Sequence, residues 1–174
     1  SLVDPGPTNV FCAGHAVMPD GKVLVAGGHF DAYSGERDAN QFDSATNMFQ
    51  TLPPMSYIRW YPTVTALPDG RMLVVSGNTT CRTCWADRPE IYDPIANTWT
   101  TLTGAQRVVP FYPHTFVLPS GKLLVTGSQL QPVETLLLDV AAQSWTVLDP
   151  LPRDGGTSVM YQLGKVLKSG MAYN

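Results

Sequence analysis

The sequence predicts an all-β fold assembled from one repeated, four-stranded antiparallel unit, and three observations predict it. Four turn glycines, Gly21, Gly70, Gly121 and Gly164, sit in matching apolar settings (VMPDGKVLVAGG, ALPDGRMLVVSG, VLPSGKLLVTG and YQLGKVLKSG) at spacings of 49, 51 and 43 residues. An aspartate stands six residues before an aromatic in QFDSATNMF, IYDPIANTW and LLDVAAQSW, giving Asp43 and Phe49, Asp93 and Trp99, Asp139 and Trp145. The 15 Gly and 15 Pro of the 174 residues fall between apolar runs. They punctuate strands there instead of marking disorder.

Each unit has the same internal order. An apolar run leads into a Pro-Asp-Gly or similar turn, and a second run such as KVLVAGG or RMLVVSG returns from it. Turn residues between β-branched flanks make this a hairpin. A variable loop follows. The Asp-to-aromatic motif then reads as the third and fourth strands with their turn, its large ring expected to pack between neighbouring units. Four antiparallel strands recurring at about 50 residues match a kelch-type β-propeller. Units are expected at 10–55, 56–105, 106–152 and 153–174, a single partial domain of three blades and the start of a fourth. The competing reading, a β-sandwich of unrelated hairpins, does not explain the recurring Asp-to-aromatic spacing. Propellers typically close with about 4 to 8 blades, so further blades of the same protein are expected before or after this segment.

Composition excludes several functions. A formal net charge of −3 with no run of Lys or Arg argues against nucleic acid and against a polybasic membrane contact. No apolar stretch approaches the roughly 20 residues that a membrane span requires. The leading SLVDPGPTNV does not read as a signal peptide. Either the protein is cytosolic or the start of the gene product lies upstream.

Counting nine residues back from each turn glycine gives Cys12, Tyr61, Tyr112 and Gly155, preceded by Phe11, Trp60, Phe111 and Asp154. Equivalent positions on the innermost strands of adjacent blades face one channel, so the repeat alone predicts Cys12 beside Tyr61. A thiol beside a phenol has two readings. One is a small buried cysteine packed on a ring. The other is redox: next to a bound metal the two can be joined oxidatively into a thioether, whose ring is easier to oxidise by one electron.

The motifs FCAGH, RWYPT and LPDGRMLVVSG, followed by FYPHTFVLPSGKLLVTG and GGTSVMYQLGKVL, resemble the galactose oxidase and glyoxal oxidase family of radical copper oxidases, in its glyoxal-oxidase-like branch. The resemblance runs from Val10 to Gly170. It implies a Cys12–Tyr61 thioether, with Tyr61 an equatorial copper ligand and the seat of the radical. It implies oxidation of an aldehyde or primary alcohol by O2 to give H2O2, and a secreted protein whose signal peptide is not in this segment. Phe11, Trp60 and Tyr112 would line the substrate pocket. The family usually has seven blades and a C-terminal β-sandwich. Its axial tyrosine with adjacent histidine, and a further histidine, come from later parts of the chain that this sequence does not contain. Galactose oxidase carries a tryptophan nine residues after the second-blade glycine, where Thr79 stands here, so Trp60 or Trp85 is expected to cover the cross-link. Its substrate-binding arginine has no counterpart either. Both departures turn the expectation from galactose towards small aldehydes or other primary alcohols.

The remaining candidates are weaker. Tyr112-Pro113-His114 has a proline between its two possible ligands and follows RWYPT directly, so Tyr112 is expected to line the channel and His114 to be a hydrogen-bonded strand residue. Cys81 and Cys84 form CRTC; no second ligand pair for zinc accompanies them, and in a secreted protein a short-loop disulfide is the expected reading. That leaves Cys12 odd, which a thioether would explain. His15, three residues after Cys12, is expected on the opposite strand face in a structural role. His29 is expected near the mouth of the site, with nothing to fix it. The alternative to an oxidase is a non-catalytic kelch-like propeller that binds carbohydrate or protein. In either case the segment alone is expected to be inactive.

Overall fold

A computed structural model of the chain describes Gly6 and residues 8–128 and 131–172. The start of the SLVDPGP segment, read above as unlike a signal peptide, lies outside the described residues, as do the side chains of Asp154 and Gly155.

The strands are β1 (Gly14–Val17), β2 (Val23–Ala26), β3 (His29–Asp31), β4 (Ser34–Gly35), β5 (Ala39–Asp43) and β6 (Met48–Leu52), then β7 (Thr63–Ala66), β8 (Met72–Val75), β9 (Glu90–Asp93) and β10 (Thr98–Thr101), then β11 (Pro113–Val117), β12 (Leu123–Ser128), β13 (Val133–Asp139), β14 (Ser144–Gln162) and β15 (Lys165–Ala172). They form successive antiparallel sheets in the orders β1-β2-β5-β6, β7-β8-β9-β10 and β11-β12-β13-β14-β15, with β3 and β4 paired separately. The chain is all-β and consistent with a kelch-type β-propeller; among the described residues no sheet closes on itself.

Local chemistry accounts for the turns. Gly21, Gly70 and Gly121 adopt φ of 84°, 87° and 78°, the left-handed region that glycine enters without a Cβ penalty. In the Asp-to-aromatic motif the carboxylate closes the turn: Asp43 accepts from the Ala45 N–H, Asp93 from Ile95 and Ala96, and Asp139 from Ala142. The residue four after each aspartate, Asn47, Asn97 or Gln143, is left-handed at φ of 56°, 53° or 49°. The aromatic two residues on then reaches the preceding connection, with Trp99 Nε1 donating to Pro53 O at 2.7 Å and Trp145 Nε1 to Ala105 O at 2.9 Å.

The core lies between sheets. Met18, Leu24 and Met55 meet Val64, Met72, Val74 and Tyr92 in one cluster, while Leu73, Val75 and Ile91 meet Leu123, Val125, Leu136 and Leu138 in another. Alternate residues of β8 therefore face opposite neighbours, which is why all four are fully buried. Burial of each such side chain is worth about 1.5–3 kcal/mol relative to exposure.

The fourth unit differs from a separate sheet. β14 runs unbroken across residues 152 and 153, pairing with β13 over its first part and with β15 over its second. Its second part also returns to the third unit, where the Ser158 hydroxyl lies 3.3 Å from His114 Nδ1 and accepts from Thr126 Oγ1 at 2.8 Å.

Candidate functional site

The site is built on Arg59-Trp60-Tyr61, whose three side chains have separate tasks. Arg59 is fully buried. Its guanidinium meets Glu90, also fully buried, at 2.9 Å, and donates to Ser76 O and Arg88 O at 2.7 Å each. Glu90 accepts in addition from the Ser56 and Tyr57 N–H groups. Burial pushes the Arg59 pKa down, and Glu90 opposes that shift. A buried ion pair survives only when its remaining donors and acceptors are satisfied, as they are here. Gly27 and Gly35 admit the Arg59 backbone: a Cβ on either would overlap it.

Cys12, Tyr61 and Tyr112 share one unusual backbone state, with φ of 65°, 65° and 44°. Non-glycine residues rarely adopt it, at about 1–2 kcal/mol each. The three are also linked in series: the Tyr61 N–H donates to Cys12 O and the Tyr112 N–H to Tyr61 O, both at 3.0 Å. This corrects the expectation that the slot lies on the innermost strands. Each slot residue precedes its strand, which begins at Gly14, Thr63 or Pro113. Strand alternation therefore does not relate His15 to Cys12, and His15, expected in a structural role, is an exposed residue of β1. With Thr63, Tyr112 and His114 it lines a groove of about 310 Å³ along the inner strands.

Side chains at the slot converge. The neighbouring Cys12 thiol, with partial burial, holds the Tyr61 phenol above its ordinary value. Trp60 stacks on Tyr61 with centroids 4.0 Å apart and planes at 12°, and Tyr112 stacks on it at 4.7 Å and 21°. Two rings near-parallel to one phenol at these distances cannot share a face without overlapping, so Tyr61 is sandwiched. Phe111 stands edge-on to both Trp60 and Tyr61 at 5.5 Å. Trp85 packs on Phe111, at 4.8 Å, so Trp60 is the ring that covers Tyr61. Phe11 is exposed, edge-on to His29 at 5.8 Å. Burial pushes the Tyr112 pKa up to about 12, and its hydroxyl donates to Ala13 O at 3.3 Å.

His29 is the residue whose part the sequence does not define. The Trp60 indole N–H donates to His29 Nδ1 at 2.9 Å, which requires a ring unprotonated at that nitrogen. The signal available was position: His29 follows Gly27-Gly28 at the end of the hairpin that begins beside the slot. Cys81 and Cys84 are joined as a disulfide, and Cys12 is free and half-buried. His114 turns to Ser158 while Tyr112 stacks on Tyr61, so the two do not act as a ligand pair.

Tyr61 offers copper a phenol oxygen, in keeping with the donor types copper accepts. Around it the described residues do not complete a coordination sphere. The nearest imidazole in the aromatic array, His29, accepts from Trp60, and no group of three or more His, Cys, Asp or Glu gathers among the described residues. Among the described residues, Cys12 and Tyr61 therefore stand together without a complete set of metal ligands around them. No described helix is long and apolar enough to cross a membrane.

No protein-family profile matches the chain. It is similar to an F-box/kelch-repeat protein of Arabidopsis thaliana, SKIP20, with 36% identity over 92 residues, 52% of this chain and 21% of that protein. The chain thus spans about a fifth of that relative's length. The similarity agrees with kelch-type repeats and does not extend to galactose or glyoxal oxidases.

Proposed function

We propose that this chain is a segment of a secreted kelch-type propeller oxidase, seven-bladed when complete, that oxidises an aldehyde or primary alcohol with O2 to give H2O2. The observation that carries this reading is Cys12 beside Tyr61, joined through the Tyr61 N–H to Cys12 O at 3.0 Å, with the Trp60 ring stacked on the phenol. Joining the Cys12 sulfur to the ring carbon beside the Tyr61 hydroxyl forms one C–S bond. It removes the thiol hydrogen and a ring hydrogen with two electrons, for which O2 is the acceptor. Copper, when bound, supplies a one-electron partner for the modified ring and an open position for the substrate oxygen. The chain's own part is narrower. Trp60 and Tyr112 enclose the phenol and exclude water from its faces, Phe111 holds the stack at its edge, and exposed Phe11 stands edge-on to His29, which accepts from Trp60. A metal at Tyr61 must displace a proton that Cys12 helps the phenol retain.

A second reading is a kelch-like propeller that binds carbohydrate or protein without catalysis. The similarity to a kelch-repeat protein favours it. Intact mass after exposure to Cu(II) and air separates the two. The oxidase reading expects a loss of two hydrogens that Cys12→Ser and Tyr61→Phe abolish. An unchanged mass with copper bound, in a longer product carrying the missing ligands, would leave the binding module. The segment alone is expected to give no copper-dependent peroxide.

A further inference from the structure

We propose that Tyr112 is a positioning residue, a clamp that holds the Cys12 sulfur against the Tyr61 ring; the inference deepens the oxidase reading and rests on it for its purpose, not for its geometry. Three contacts of different kinds converge on Tyr112. Its ring stacks on Tyr61 at 4.7 Å, on the face that Trp60 does not cover. Its N–H donates to Tyr61 O at 3.0 Å, fixing the two backbones in register. Its hydroxyl crosses to the first unit and donates to Ala13 O at 3.3 Å, one residue beyond Cys12. One side chain therefore holds both Tyr61 and the residue next to Cys12, from a third unit of the repeat. The residue is in the left-handed region at φ 44° before Pro113, a conformation chosen against intrinsic preference.

The chemistry explains why a clamp is needed. The C–S bond forms only from a geometry in which the sulfur faces one ring carbon, and misplacement by about 1 Å can cost a hundredfold in rate. Cys12 lies on a connection with no strand partner of its own, and it is half-buried. The Tyr112 hydroxyl ties the clamp to the first unit by its bond to Ala13 O at 3.3 Å. Tyr112 would thus fix the reacting pair besides lining the groove.

Cys12 is the only one of the 3 cysteines outside the disulfide, so its alkylation can be followed by mass in the metal-free chain. Tyr112→Leu is expected to raise the rate of Cys12 alkylation by iodoacetamide about fivefold, and Tyr112→Phe by a smaller factor, since it loses only the hydroxyl bond. His114→Gln, a change in the same groove, leaves the rate unaltered and controls for general loosening. With Cu(II) and air, Tyr112→Leu is expected to slow the loss of two hydrogens about tenfold. If Tyr112→Leu unfolds, as circular dichroism would report, Tyr112→Phe decides. Alkylation of both folded variants within about twofold of the parent rate overturns the clamp. Faster alkylation of the variants, with no loss of two hydrogens from the longer product that carries the missing ligands, upholds the clamp and removes the oxidase reading.

Discussion

Arg59 and Tyr61 are two residues apart and occupy opposite regimes. Around Arg59 the interior is closed: the guanidinium bonds to buried Glu90, to the carbonyl of buried Ser76 and to the carbonyl of half-buried Arg88, and both charges are sealed from water. Around Tyr61 the chain is half open, its backbone is left-handed, and its partners are rings and a thiol. The difference teaches where each kind of cost is placed. The ion pair costs desolvation and returns rigidity, fixing the segment from which Trp60 and Tyr61 project. The slot costs backbone strain and returns an accessible, reactive contact. Strain of this kind persists where the surroundings over-determine it, and the Arg59 assembly is what over-determines it here.

Three outcomes test that division. The largest effect is expected at Arg59. Arg59→Met leaves Glu90 buried without its cation and should lower stability by about 3–5 kcal/mol, whereas Arg59→Met with Glu90→Leu should recover most of the loss. Urea unfolding measures both, and a double variant as unstable as the single one would break the assignment of the hub to an ion pair. The intermediate effect has the opposite sign. Cys12→Gly removes a Cβ from a left-handed residue and should raise stability by up to about 1 kcal/mol while abolishing thiol chemistry. A clear loss of stability would mean that the slot is structural after all.

The smallest effect concerns His114, which has neither a partner charge nor full burial. Burial lowers its pKa from 6.5, and Lys168 adds to the shift. Just below pH 6.5 the unfolded chain therefore binds a proton that the folded chain refuses, so stability falls as pH drops through that window and levels off below the folded pKa. His114→Gln should flatten this slope in thermal melts across pH 7 to 5. An unchanged slope would assign the dependence to other groups.

Much of the fold was legible because its signals are local. Turn glycines, capping aspartates and the alternation that buries both faces of β8 are written in contiguous residues. The Cys12–Tyr61 contact was legible for a different reason, since a repeat converts equal spacing into proximity. The clamp by Tyr112 and the bond from Trp60 to His29 were not. They depend on where side chains at loop positions turn, and left-handed slot residues do not obey the strand alternation used to place them. The continuity of β14 was hidden likewise, because the Pro and Gly residues within LDPLPRDGG read as a break and the strand passes through them.

The slot's backbone state has a consequence for mutational scanning. A saturation library at Cys12, Tyr61 and Tyr112 would report intolerance from two unrelated sources. β-Branched and bulky replacements would fail because φ near 65° or 44° excludes them, whatever the side chain does. Glycine and asparagine fit that conformation, so their scores alone measure the worth of the thiol and the phenols. Read through those two columns, the same data would distinguish a position kept for its shape from one kept for its chemistry.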